Sequence, residues 1–315
     1  MKRFLVVGGA GFIGSSLIEQ LVCLGHDVRA VDRPVKSSPL PAMILRSVEW
    51  LEGDFTDVDF IARAVKDRDV VFHLASTTLP KSSNDDPVYD IRTNIVGTVQ
   101  LLDVATRAGV GKVIFPSSGG TVYGNPMALP IREAHPTNPI SSYGITKLTI
   151  EKYLEFFRQE RGLDYTALRL ANPYGHYHNA GSAQGAVGVF LSRAMAGQPI
   201  EIWGDGEVVR DYIYISDVID AMIASITYQA GARVFNLGSG MGKSLNEVVA
   251  AVQRATGRTV AVNFLPKRSV DVQANILDIS LIGEEMKWKP TVSFDQGVAL
   301  LFDQFQRSPH VSRFE

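Results

Sequence analysis

The sequence predicts an α/β fold built on a doubly wound parallel sheet, followed by a smaller C-terminal substrate-binding domain. Short apolar runs alternate with longer stretches of helical periodicity, which is the rhythm of strand, helix and strand. The runs are apolar on both faces, as parallel strands are when helices cover both sides of the sheet.

In order, the runs are Phe4 to Val7, Val28 to Val31, Val48 to Leu51, Val70 to Leu74, Val113 to Phe115 and Thr166 to Leu170. Between the first two, Ile13, Leu17, Leu21 and Leu24 recur at helical spacing and predict one buried helix face. Cys23, the only cysteine, falls in the same pattern and reads as a small buried hydrophobe of a reducing compartment. After Asn172 the rhythm loosens into a stretch rich in Gly, His, Tyr and Asn. The expected boundaries are therefore 1–171 for a nucleotide-binding domain and 172–315 for a second domain, with the apolar segment Asp211 to Ile215 returning to the main sheet.

Composition narrows the partners. At 315 residues, with 45% hydrophobic and 20% charged residues, the chain buries a core without disulfides. A net charge of -2 supplies no field that gathers nucleic acid or anionic lipid, so an anionic ligand has to be held by local groups. Lys2 and Arg3 before Phe4 imitate the start of a signal peptide, but the glycines from Gly8 cut the apolar stretch short. No later segment has the length of an uncharged membrane span. The expectation is a cytoplasmic protein with no nucleic-acid or membrane partner.

Gly8, Gly11 and Gly14 lie between the first strand and the first helix, with Phe12 and Ile13 opening that helix. Glycines there let a phosphate approach backbone N–H groups at the positive end of a helix. The spacing is a variant of the commoner dinucleotide fingerprint, and tight turns use glycine in any case. Asp32, ending the second strand, adds weight: its carboxylate can accept from ribose hydroxyls and would repel the extra phosphate of NADP, although Arg33 beside it keeps NADP open. Asp54, followed by Phe55, is placed to meet an adenine amino group, or forms a common Gly-Asp turn with Gly53. The fold expected is thus Rossmann-like and the cofactor NAD.

Tyr143 and Lys147 stand four residues apart at the start of a helical stretch to Arg158, so their side chains share one face. An unperturbed tyrosine titrates near ~10, and a phenolate at neutral pH needs about 4 kcal/mol of differential stabilisation. The Lys147 ammonium and the positive nicotinamide are the two charges that could supply it, after which the phenolate could take a proton from an alcohol. Alone, this spacing also fits a solvated helix pair.

With these residues in place, the chain resembles the extended short-chain dehydrogenase/reductase superfamily, in its NAD-dependent nucleotide-sugar epimerase/dehydratase branch, and within it the UDP-glucose 4-epimerase-like members. Besides the glycine loop and Tyr143-x-x-x-Lys147, the resemblance runs through His73-Leu74-Ala75, Asn94 before Gly97-Thr98, Ser117 to Gly124, Leu168 to Pro173, Arg210 to Ile213, and Arg268-x-x-Asp271. It implies 4-epimerisation of a UDP-sugar, with Tyr143 deprotonating the 4-hydroxyl and NAD taking and returning the C4 hydride. It also implies that Leu74, Ala75 and Asn94 border the cofactor, that Asn172 binds the substrate, and that Arg210 and Arg268 hold phosphates. Asp271 would meet the nucleotide ribose and Trp203 the uracil, though a core role for Trp203 is nearly as good a reading. Asn275, four residues beyond Asp271, replaces a gating tyrosine and implies room for N-acetylhexosamines.

One position departs from the branch. Gly119 stands where relatives carry a serine or threonine that bonds the reacting sugar oxygen. Thr121, two residues on and on the same side of an extended segment, is the first candidate to replace it, and Ser118 the second. Structural hydrogen bonding in the loop is the competing reading for both.

Gly120 and Thr121 replace the acid pair of the 4,6-dehydratases, and His176-Tyr177-His178 replaces an arginine common in enzymes of UDP-glucuronate. Dehydration is therefore disfavoured, a glucuronate epimerase is the weaker alternative, and retention of both Tyr143 and Lys147 argues against a non-enzymatic NAD-binding regulator. The histidines stand near no cysteine or carboxylate cluster, so no metal is expected. A homodimer, paired through the Thr93 to Ala108 and Tyr143 to Arg158 helices, is implied.

Overall fold

The computed structural model describes residues 1–34, 38–177, 185–266 and 272–307. Thirteen strands follow one another as β1 (Arg3–Val7), β2 (Asp27–Asp32), β3 (Val48–Glu52), β4 (Val70–His73), β5 (Lys112–Ser118), β6 (Asp164–Leu170), β7 (Asn172–Tyr174), β8 (Ile200–Trp203), β9 (Val209–Tyr214), β10 (Val234–Leu237), β11 (Gly242–Ser244), β12 (Val262–Leu265) and β13 (Ala274–Asn275). All six predicted runs are strands.

The large sheet has the order β10-β6-β5-β4-β1-β2-β3. Every neighbouring pair from β6 to β3 is parallel. Because β1 lies between β2 and β4, the winding reverses there, and the crevice beyond the carboxyl ends of β1 and β4 is where such sheets take ligands. Residues of β4 are buried on both faces, which is why its sequence is continuously apolar. On one side Leu5, Val7, Val71 and Phe115 pack with Leu101, Leu102, Ile150 and Leu154 from two helices. Full burial of each such side chain is worth about 1.5–3 kcal/mol.

The first helix, Phe12–Cys23, buries Leu17, Ile18 and Leu21. Its last turn differs from expectation: Leu24 is 49% exposed and Cys23 is exposed, so neither belongs to the buried face. The helix begins to leave the sheet there and stops at the Gly25 turn.

The chain divides into two compact units, one of Met1–Gly124, Pro136–Leu170 and Ala221–Phe235, the other of Asn125–His135, Ala171–Asp220 and Asn236–Glu315. The expected return of Asp211 to Ile215 to the main sheet is incorrect. That segment is β9, which pairs with β7, β11 and β13 in a separate four-stranded sheet, whereas β10 completes the large sheet beside β6. Both are short apolar runs, and only long-range backbone pairing distinguishes them. A third sheet joins β8 to β12, and Val187, Leu191, Ile202, Val248 and Leu301 form the second unit's core.

Candidate active site

In the first unit, the backbone turns sharply after β1, with Gly8 N and Gly9 N both donating to Val31 O, at 2.8 and 3.1 Å. Gly8 has φ of +91°, and a Cβ there would stand 2.6 Å from Ala75 N. Only glycine meets both conditions. A Cβ on Gly14 would overlap Gly8 O, so Gly14 lets the helix start directly against the loop.

The helix behind this loop has no capping side chain at Gly11 and no acidic residue in its first turn, Phe12 to Gly14, so its positive end is not neutralised locally. A cavity of about 320 Å³ opens beside it, lined among others by Gly8, Gly11, Asp32, Asp54, Phe55, Leu74 and Ala75. Sequence reasoning missed Thr77, which also lines it. Asp32 is already at work: one oxygen accepts from Ala10 N at 2.8 Å and the other from Arg33 N at 2.8 Å. Asp54 Oδ1 accepts from Thr56 N and Oγ1, a turn that runs forward from Asp54 instead of through Gly53, while Asp54 also lines the cavity.

Asn94 does not line this cavity. It is buried, accepts from Thr77 N at 3.0 Å, and donates to Thr77 Oγ1 and Asp90 Oδ1. Its reach to a cofactor is therefore indirect, through the Thr77 loop. A π-helical turn, Ile91–Val96, carries it between the Pro87–Asp90 and Gly97–Arg107 helices. The helix expected from Thr93 thus starts earlier and is distorted, a feature common at functional sites.

Tyr143 and Lys147 lie in the first turns of the Ser142–Arg161 helix, capped by Ser141, whose side chain accepts from Gly144 N. Lys147 Nζ is buried, 5.5 Å from the Tyr143 ring, and donates to Pro116 O at 3.0 Å. Burial holds its ammonium down at about 8, against the pull of Asp90 and Glu151. The Tyr143 phenol is pushed up to about 12, first by burial and then by the Asp90 carboxylate. Without a bound cofactor, burial and Asp90 both act against the expected depression of the tyrosine.

Ser118 ends β5, and Thr121 N and Val122 N both donate to Ser118 O. The segment from Gly119 is thus a tight turn, not an extended chain, and the alternation argument for Thr121 fails. Thr121 nonetheless has a buried Oγ1 without a hydrogen-bond partner among the described residues. An orphaned buried hydroxyl costs about 1–3 kcal/mol, which a ligand can recover.

Behind the pair lie two buried groups, Glu151, which the sequence did not single out, and His73, which it marked only as part of a motif. Glu151, one turn beyond Lys147, accepts from Ser117 Oγ and from Arg169, whose Nη1 donates to Tyr123 OH. His73, 1% exposed, meets Thr98 Oγ1 at 2.8 Å through Nε2. Because the Thr98 hydroxyl donates to Asn94 O, His73 Nε2 must be the donor, leaving Nδ1 bare among Phe55 and Phe115.

In the second unit, β9 gathers three of the predicted residues. Arg210 on β9 pairs in register with Asn275 on β13, while Asn172 on β7 donates from Nδ2 to Asp211 O at 2.8 Å. Arg210 Nη1 donates to Val209 O and Val272 O, and Asn275 is 2% exposed. Trp203 ends β8 in the other small sheet and is 42% exposed, which removes the core reading. Arg268 and Asp271 fall outside the described residues. Asp211, missed from the sequence, is wholly buried and accepts from Ser239 N, Ser239 Oγ, Gly240 N and Leu277 N. Burial outweighs these donors and pushes its carboxyl up. No group of three or more potential metal ligands occurs among the described residues, and no helix among them is long and apolar enough to cross a membrane.

Comparison with known proteins settles the lineage. Residues 4–238 match the model of the NAD-dependent epimerase/dehydratase family. The chain belongs to that family. It is 36% identical over 311 residues to a UDP-glucose 4-epimerase of Mycolicibacterium smegmatis, covering 96% of this chain and 98% of the other. The crystal structure of UDP-glucose 4-epimerase from Thermotoga maritima with UDP-glucose has a TM-score of 0.91 at 37% identity, covering 97% of this chain and 99% of that one. A UDP-N-acetylglucosamine 4-epimerase from Methanobrevibacter ruminantium, in complex with UDP-N-acetylmuramic acid, has a TM-score of 0.91 at 29% identity, covering 97% and 98%. Membership makes this family member an NAD-dependent enzyme. The glycine cradle and the uncapped helix start fit that cofactor's diphosphate.

Proposed function

We propose that this family member interconverts the 4-epimers of UDP-hexoses: UDP-glucose with UDP-galactose, and UDP-N-acetylglucosamine with UDP-N-acetylgalactosamine. The observation that carries the reading is the Tyr143–Lys147 pair, placed on one helix face and tied to the loop that lines the cofactor cavity. When bound, NAD supplies a two-electron acceptor that takes the C4 hydrogen and gives it back. Gly8, Gly11 and Gly14 with the first turn at Phe12 and Ile13 hold its diphosphate, and Asp32 its adenosine ribose.

Tyr143 takes the proton of the substrate 4-hydroxyl and later returns it. Burial and the Asp90 charge push its phenol up, and the positive charge of the bound cofactor and the Lys147 ammonium act in the opposite sense. Thr121 Oγ1, unpartnered and buried, is the group proposed to bond the reacting oxygen in place of the side chain that Gly119 lacks, with Ser118 behind it. Asn172, Arg210, Arg268, Asp271 and Trp203 are assigned to the UDP moiety, and Asn275, smaller than tyrosine, to acceptance of the N-acetyl group. Exposed Val96, Tyr153 and Phe156 on the Ile91–Arg107 and Ser142–Arg161 segments support pairing into a homodimer.

The test is to incubate the purified protein, with no added cofactor, with UDP-glucose, UDP-N-acetylglucosamine or UDP-glucuronate and follow the anomeric protons by NMR. Interconversion of 4-epimers is expected for the first two. Reduction of added NAD+ without epimer formation would overturn the proposal.

A further inference from the structure

We infer that Asp90 is the positioning residue that locks the catalytic helix to the cofactor loop. The inference rests on the catalytic reading of Tyr143 and Lys147.

Asp90 is 0% exposed. A buried carboxylate is expensive unless its oxygens are fully engaged, and here four side chains from three parts of the first unit engage them. Oδ1 accepts from Thr78 Oγ1 at 2.5 Å and Asn94 Nδ2 at 2.8 Å. Oδ2 accepts from Ser142 Oγ and Thr146 Oγ1, each at 2.8 Å. Ser142 and Thr146 immediately precede Tyr143 and Lys147, so Oδ2 grips the helix one residue before each member of the pair. The other oxygen holds the Thr78 end of the cavity loop directly and Thr77 through Asn94.

The carboxylate sits at the last residue before the π-helical turn that carries Asn94. Asp90 and Asn94, four residues apart, meet across this turn, and the chain continues as an ordinary helix at Gly97. Together these hydrogen bonds make one rigid link between the cofactor cavity and the base.

Asp90 has an electrostatic effect as well. Its charge raises the Tyr143 phenol and the Lys147 ammonium. The other titratable groups acting on this pair are Glu151, one turn along the helix from Lys147, and His73 on β4, which is neutral. Removing the Asp90 charge should therefore lower both titrations, while removing one donor should lower neither.

The experiment compares holoenzymes carrying Asp90→Asn, Asp90→Glu and Thr146→Val with the wild type. Tyr143 is titrated by the ultraviolet difference between each protein and its Tyr143→Phe partner, a readout that does not require turnover. D90N is expected to move the Tyr143 titration and the acidic limb of the rate profile to lower pH, while kcat falls up to about 100-fold through misplacement of the base. KM should change little. T146V should reduce kcat less and leave the titration in place, and D90E should restore the wild-type titration. An unmoved Tyr143 titration and unchanged kcat in folded D90N would overturn the inference. Absence of epimerase activity in the wild type would instead overturn the proposed function, with the titration still deciding the role of Asp90.

Discussion

In the first unit, Tyr143 and Lys147 stand on a helix of 20 residues, and the cavity opens at the ends of strands buried on both faces. In the second, Asn172, Arg210 and Asn275 stand on strands of 3, 6 and 2 residues. Long elements hold their side chains through many backbone bonds and much apolar burial. The strands of 2 and 3 residues have few of either, and beside them one carboxylate, Asp211, binds Ser239, Gly240 and Leu277 to β9. Each unit thus has a buried carboxylate as a hub, but Asp90 ties together parts of a long-helix scaffold, whereas Asp211 joins the ends of short strands and turns.

The largest effect should come from removing chemistry while the strong scaffold stands. Tyr143→Phe is expected to lower kcat by about 10²–10⁴-fold with NAD retention and unfolding midpoint unchanged. A protein that also loses NAD would show that the helix depends on its tyrosine.

Next comes a cost of the scaffold's thorough burial. His73 is held down to about 3 from an ordinary 6.5, first by burial and then by the Lys147 charge. The unfolded chain takes up this proton below about 6.5 and the folded one only near 3, so stability is complete above 6.5 and falls as pH drops through that window. The loss should reach several kcal/mol in order of magnitude. Urea unfolding at pH 7 and pH 5 should show about 2 kcal/mol of it, and the dependence should flatten in His73→Gln.

Asp211→Asn tests the hub. Its amide would face backbone N–H groups that now donate to the carboxylate, at a cost of about 1–3 kcal/mol. KM for the UDP-sugar should rise more than kcat falls; the reverse would show that β9 keeps its place without Asp211. The smallest effect serves as a control. Ser244 and Glu247 form a capping box on the Leu245–Thr256 helix, and Ser244→Ala should cost about 1 kcal/mol of stability with kinetics unchanged.

The contrast also explains what was legible. The central strands could be read because burial on both faces leaves an apolar signal, strongest in β4, and the Tyr143–Lys147 pair because helical spacing is local. β10 was missed because the choice between Asp211–Ile215 and Val234–Leu237 depends on which run meets the edge of β6, a contact with no local signature. Thr121 was misplaced because Gly119 and Gly120 permit a turn where alternation assumes a strand. Asp90 and Asn94 are four apart, the spacing of helical neighbours, so a buried asparagine could have been asked for its partner. Nothing local marks Asp211, whose donors lie 28 to 66 residues away.

The hydrogen bond from Ala10 N to Asp32 bears on any attempt to redesign the enzyme for a different dinucleotide. The obvious substitution removes the carboxylate assigned to the ribose, yet the same oxygen fastens the glycine loop from below. On the proposed assignment, selectivity and loop shape fall to one side chain. A designer who deletes the first has to rebuild the second with another acceptor, and the variants that succeed should be those that keep an oxygen within reach of Ala10.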